Sequence, residues 1–290
     1  MKIGIVGLGL IGGSLGLDLR SQGHQVLGSS RRRVTCEAAI VRGVVDEASI
    51  DVRLLAAADL IFICTPIAAI LPTVKQLVPH LAKDTVLTDV GSVKTAIVEA
   101  ITPIWSPFVG GHPMAGKAES GLEVAQSHLF AGNPYVLTPT ETTPSAALEM
   151  VAEIAQSLQA QVYRTTPAHH DRAVAWISHL PAFASASLIA ACLEESDTHV
   201  LSLAQEVASS GFRDTSRVGG GNPELARMMA QYNQQELLRS LHYYRQALNR
   251  FIAQIESADW ATLETQLQKT QQLRPKFIKK FSPDCDNIAT

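Results

Sequence analysis

The sequence predicts a doubly wound α/β sheet over residues 1–165 followed by an all-helical domain over residues 166–290. Three observations lead there. Short apolar runs alternate with helical stretches through the first half of the chain. A glycine-rich turn, Gly7-Leu8-Gly9-Leu10-Ile11-Gly12, joins the first run to the first helix. Beyond Thr166-Pro167 only helical patterns remain.

Taken in order, Ile3 to Val6 reads as a buried strand and Ser14 to Ser21 as the helix after the turn. Within the turn, Gly7 permits the tight bend, Gly9 lets the backbone approach a pyrophosphate, and Gly12 lets the helix lie close to the strand. Leu10 and Ile11 belong to the same site, where phosphates sit over the helix N-terminus. This is the Rossmann dinucleotide fingerprint. The next strand, His24 to Gly28, ends where an NAD site places an acidic residue for the ribose 2'-hydroxyl. Here the chain reads Ser29-Ser30-Arg31-Arg32-Arg33. Ser30 and Arg31 can hydrogen-bond a 2'-phosphate, and Arg32 can stack on adenine or add charge, so the expectation is NADP rather than NAD.

Asp59 to Thr65 and Thr85 to Thr88 read as further strands. They end at Thr65-Pro66 and Asp89-Val-Gly91-Ser92-Val-Lys94, the edge where a doubly wound sheet holds its ligands, and Thr65, Pro66 and Gly91 are assigned to the cofactor. Phe108-Val-Gly, Tyr135 to Thr138 and Gln161 to Tyr163 complete the strands, with a helix from Ser145 to Leu158. The second half predicts helices over Ala182 to Glu195, Leu201 to Ser209, Pro223 to Ser257 and Trp260 to Lys280. Long apolar stripes on such helices favour a homodimer, with packing inside one chain as the alternative.

Hydrophobic residues make up 46% of the chain, charged residues 18%, and the net charge is −3, a balance that argues against a nucleic-acid or anionic-membrane partner. A small-molecule partner is expected. No apolar run in the sequence reaches the roughly 18 residues of a membrane span, and the chain opens directly on a strand, so the expected compartment is the cytoplasm. Cys36, Cys64, Cys192 and Cys285 form no C-x-x-C pair, so neither a metal site nor a disulfide framework is expected.

For chemistry, Val109-Gly-Gly-His112-Pro-Met-Ala-Gly116 sets a histidine between glycines and proline just after a strand, which predicts a loop that holds the ring rigidly at the ligand edge. His112 is the candidate general base. Ser92, at the end of the neighbouring strand, is a candidate to orient the imidazole or to meet a substrate hydroxyl, or else to cap a helix.

Together, Gly7-Leu-Gly-Leu-Ile-Gly-Gly-Ser14, Asp89-Val-Gly-Ser-Val-Lys94, Gly111-His-Pro-Met-Ala-Gly116, Ser178-His-Leu-Pro181 and Gly211-Phe-Arg-Asp-Thr-Ser-Arg217 resemble the prephenate/arogenate dehydrogenase family. The resemblance implies oxidative decarboxylation of a cyclohexadienol: prephenate would give 4-hydroxyphenylpyruvate, and arogenate would give tyrosine. It also implies that Arg217 grips a substrate carboxylate and that His179 lies near the substrate, oriented by Asp214. Arg213 is the less favoured arginine of that motif. Some prephenate-using relatives carry an acidic residue where this chain has Ala118, and compact members with an NADP-type site often prefer arogenate. The expected substrate is therefore arogenate. Two rivals remain: a lysine-dependent hydroxyacid dehydrogenase, disfavoured because Lys269 alone stands between Ala168 and Arg274, and a non-catalytic NADP-binding redox sensor.

Overall fold

A computed structural model describes residues 1–117 and 119–278. The expectations attached to Ala118, to Cys285 and to the Lys279-Lys280 end of the last helix lie outside the described residues. The N-terminal half runs β1 Lys2–Val6, α1 Leu10–Ser21, β2 Gln25–Ser29, α2 Arg33–Val41, β3 Glu47–Ser49, β4 Leu60–Ile63, α3 Ile67–Leu77, β5 Val86–Asp89, α4 Thr95–Ile101, β6 Phe108–Pro113, β7 Pro134–Thr138, α5 Ser145–Ser157 and β8 Gln161–Arg164. These strands form one eight-stranded sheet in the order β3-β2-β1-β4-β5-β6-β7-β8. Every neighbouring pair is parallel except β6 and β7.

The central strands are apolar on both sides because helices cover both faces. In β4, Leu60 and Phe62 pack into one apolar layer and Ile61 and Ile63 into the other, the alternation of an extended chain. The first layer adds Leu15, Leu19 and Val151, and the second adds Ile70, Val74 and Ile101. Fully burying each such side chain stabilises the fold by about 1.5–3 kcal/mol.

The helical half follows as α6 Pro167–Val174, a π-helical turn Ala175–His179, α7 Leu180–Leu193, α8 Thr198–Val207, α9 Ser210–Ser216, α10 Pro223–Tyr232, α11 Gln234–Glu256 and α12 Trp260–Leu273. The expected Pro223 to Ser257 helix is thus two, interrupted at Asn233. The stretch Pro167–Leu193 is one continuous helical run of 27 residues, long and apolar enough by length and composition to cross a membrane, contrary to the sequence expectation. It also carries His170, Asp171 and His179, all buried against polar partners described below.

By compactness the chain divides into Met1–Leu237 and Leu238–Thr290. In the first unit α8 and α9 bury no residue. In the second, α12 buries none, and Tyr243, Tyr244, Leu248, Ile252 and Ile255 are exposed on α11.

Candidate active site

The strand order reverses between β1 and β4, and the crevice beyond their carboxyl ends is where an open α/β sheet takes its ligand. Gly7 leaves β1 at φ 95°, and a Cβ there would lie 2.5 Å from the Cys64 carbonyl oxygen. A Cβ on Gly12 would lie 2.0 Å from the Gly7 carbonyl oxygen, so α1 could not approach the turn. A Cβ on Gly9 would meet nothing within 4 Å, and Gly9 caps α1 without a side-chain bond, so no capping side chain covers the first-turn N–H groups of the helix. Thr65 Oγ1, just past β4, is buried without a hydrogen-bond partner. Bare amides at a helix N-terminus and an unpartnered hydroxyl across the crevice fit a dinucleotide's phosphates and ribose. At the end of β2, Ser30 is half-buried and Arg31 and Arg32 are exposed, with no carboxylate from Ser29 to Val34.

On the substrate side, His112 lies within β6 rather than in a loop after it. The strand continues through Gly110–Pro113 because that half pairs antiparallel with β7, His112 opposite Val136. The imidazole is buried, and its Nδ1 lies 2.8 Å from Nε2 of His170 on α6. The two rings meet edge to face, 5.0 Å apart and inclined at 70°. His170 Nδ1 in turn lies 2.8 Å from Asp171 Oδ1. Asp171 also accepts the backbone N–H of Lys94 at 2.7 Å and that of Thr95 at 2.8 Å, so it closes the N-terminus of α4. That is the capping role Ser92 was a candidate for. Burial pushes the Asp171 carboxyl up, but bonds from His170, the Thr95 hydroxyl and the two amides together bring it below the usual carboxylate range. Burial above all, with the Lys94 ammonium nearby, holds the His112 imidazole well below the ordinary histidine range, so it is neutral at pH 7.

Lys94 is wholly buried. Its Nζ donates to Asp89 Oδ2 and, at 2.7 Å, to the Gly111 carbonyl next to His112. Asp89 also accepts the N–H groups of Gly91 (2.8 Å) and Gly111 (3.2 Å), which ties the end of β5 to β6.

His179 is buried at the end of the π-helical turn, and its partner is Asn233, not Asp214. The Asn233 amide donates to the Asp171 carbonyl at 2.8 Å and to His179 Nδ1 at 3.1 Å. Nδ1 therefore accepts, the ring proton sits on Nε2, and that buried Nε2–H has no partner. Burial is the main reason its imidazole is held down at about 4, with Asp171 opposing and His170 adding to the effect. Ser92 Oγ, three residues before α4, is likewise buried and unpartnered, and it does not bond His112 Nδ1, which His170 takes. Arg217 is exposed at the end of α9, and Asp214 pairs instead with Arg213 at 3.2 Å, both exposed.

Sequence reasoning missed His170, Asp171 and Asn233, and it gave Lys94 no role. A signal for two of them was present: His169-His170-Asp171-Arg172 is a polar knot at the head of an otherwise apolar helical run.

Comparison with known proteins places this arrangement. Residues 15–164 match the family described as prephenate dehydrogenase, nucleotide-binding domain, and residues 166–269 match prephenate dehydrogenase, dimerization domain. The chain is similar to the crystal structure of Synechocystis arogenate dehydrogenase, 54% identical with a TM-score of 0.88 over 96% of this chain and all of that one. It is also similar to prephenate dehydrogenase from A. aeolicus in complex with hydroxyphenyl propionate and NAD+, 26% identical with a TM-score of 0.90 over 96% of this chain and 98% of that one. A prephenate dehydrogenase of Lactococcus lactis subsp. cremoris is 30% identical over 281 residues, covering 94% of this chain and 76% of the relative. With both halves of the chain matched in order, and with a glycine crevice and a buried histidine at one sheet edge, the chain belongs to the prephenate/arogenate dehydrogenase family, oxidoreductases that carry out nicotinamide-dependent oxidative decarboxylation.

Proposed function

We propose that this chain oxidises and decarboxylates arogenate to tyrosine with NADP, using His112 as the group that takes the ring hydroxyl proton. The observation that carries the proposal is the His112–His170–Asp171 chain, which occupies Nδ1 of a buried imidazole held neutral and leaves Nε2 as the nitrogen available to a substrate. The likeness to a structure described as an arogenate dehydrogenase supports the substrate. The Ser-Arg-Arg sequence after β2, without a carboxylate, supports NADP.

In this reading Gly7, Gly9, Leu10, Ile11 and Gly12 hold the pyrophosphate, Thr65, Pro66 and Gly91 line the crevice, and Ser30, Arg31 and Arg32 receive the 2'-phosphate. The nicotinamide, when bound, supplies the hydride acceptor. His112 holds the hydroxyl proton at Nε2, and Ser92 Oγ offers the hydroxyl a second contact. His179 Nε2–H donates to a substrate oxygen, and Arg217 grips a carboxylate with its forked guanidinium. Asp214, exposed and paired with Arg213, serves by holding that neighbouring arginine. No metal is assigned a part.

Residues 1–165 form the dinucleotide-binding domain and residues 166–290 the substrate-binding and dimerisation domain of a cytoplasmic homodimer. The dimer reading is supported by the description of the matched C-terminal family and by the exposed apolar residues of α8, α11 and α12.

The test is absorbance at 340 nm with purified enzyme, offering arogenate and prephenate separately, each with NADP and with NAD. Turnover of arogenate with NADP alone is the expected result. Turnover of prephenate in preference overturns the substrate, as the prephenate-named relatives would favour. Preference for NAD overturns the role given to Arg31.

A further inference from the structure

We infer that His170 is a positioning residue for this reaction, fixing through its two ring nitrogens which nitrogen of His112 is free to take a proton. The inference rests on the reading of His112 as the base.

Asp171, ionised, is acceptor-only, and the donors that reach it include the amides of Lys94 and Thr95 and His170 Nδ1. His170 must therefore carry its proton on Nδ1. With this taken as the single ring proton of His170, its other nitrogen is a lone pair, and His170 Nε2 faces His112 Nδ1 at 2.8 Å. Two lone pairs at that distance repel, so His112 Nδ1 carries the proton and Nε2 is bare. The anchor is rigid, because the carboxylate that starts the chain also closes the N-terminus of α4.

Lys94 and His179 act on His112 together with His170, and Asp171 faces His170. When His112 gains a proton, the new positive charge sits one imidazole away from Asp171. The arrangement is a base and its orienting carboxylate with a second imidazole between them, and the orienting function passes to that imidazole.

Two substitutions separate the nitrogens. An asparagine side chain reaches about as far as Nδ1, so H170N keeps a donor for Asp171 and loses the acceptor for His112. A glutamine reaches about as far as Nε2, so H170Q keeps the acceptor for His112. A purely structural role predicts that H170N is the better tolerated of the two. Positioning predicts the reverse: in H170N, kcat falls by about 10²–10⁴-fold, the contribution of a placed general base, with both KM values within about threefold of wild type, and H170Q recovers at least about tenfold.

H112N, measured alongside, distinguishes the two readings. If H112N keeps full activity, the base reading itself falls. If H112N is inactive while H170N matches wild type, positioning alone falls. ¹⁵N spectra of histidine-labelled wild-type enzyme without ligands give a readout free of activity and of variant folding. A proton on His112 Nδ1 is expected, and a proton on Nε2 overturns the inference.

Discussion

Replacing Lys94 with methionine tests how the sheet edge beneath His112 is held. Methionine matches the length and volume of lysine closely enough to leave little cavity, so the change removes the ammonium and its bonds to Asp89 and to the Gly111 carbonyl. Asp89 is then left wholly buried with two amide donors, Gly91 and Gly111, and no ammonium. Removing one partner of a buried pair costs about 3–5 kcal/mol, and the two remaining donors put this case at the lower end, about 3 kcal/mol. With a urea m-value of about 2–3 kcal/mol per molar, that is a fall of about 1–1.5 M in the unfolding midpoint. Urea titration at pH 7, followed by far-ultraviolet circular dichroism, reads it directly. In the double variant D89N/K94M no charge is left stranded, so its loss should be smaller than the sum of the two single losses. A K94M midpoint within about 0.3 M of wild type, or strict additivity in the cycle, would refute the account of Lys94 as the counter-charge of Asp89.

Three further outcomes follow from other parts of the molecule. R31A should raise KM for NADP about 10–100-fold while changing KM for NAD little, since a charged phosphate contact is worth about 1.5–3 kcal/mol; equal effects on both cofactors would remove Arg31 from the 2'-phosphate. R217A should bind NADP normally by fluorescence titration yet need at least tenfold more substrate, and loss of NADP binding would place the residue in the other half of the site. His179 is held at about 4 in the folded chain against 6.5 when unfolded, so the unfolded state takes its proton first as pH falls. Stability should accordingly drop between pH 6.5 and about 4, by about 1.4 kcal/mol per pH unit from this group. H179N keeps an acceptor for Asn233 and does not titrate, so its acid slope should be shallower by that amount; parallel slopes would show that His179 is not held neutral by the fold.

Features carried by local chemistry were legible in the sequence. The Gly7–Gly12 turn is readable because its glycines answer to contacts within one strand–turn–helix unit, and β4 is readable because Leu60 to Ile63 is an unbroken apolar run. β3 was not, because Glu47–Ser49 is a short, incompletely buried edge strand with no apolar pattern. His112 was read as lying in a loop because Gly110-Gly111 weakens any local strand signal; what makes it strand is pairing with β7, more than twenty residues on. Asn233 breaks the helical run without glycine or proline, and its reason is tertiary: its amide is spent on Asp171 and His179. The His112–His170 contact spans 58 residues, and no periodicity reports a partner at that distance. Ser92 and Thr65 were singled out from their places after strand ends, and both proved to be buried hydroxyls without partners.

The bonds from Asp171 to the amides of Lys94 and Thr95 bear on how such a protein can be recombined. The two matched family segments meet between residues 164 and 166, which suggests interchangeable modules. Yet the carboxylate belongs to the second segment, and the amides and His112 belong to the first. A chimera joined at residue 165 inherits His112 from one parent and the His170–Asp171 pair that meets it from the other. Such a hybrid works only where the donor's helix start presents the same histidine and aspartate to the recipient's α4, so an exchange of substrate preference has to carry that seam along with the substrate contacts.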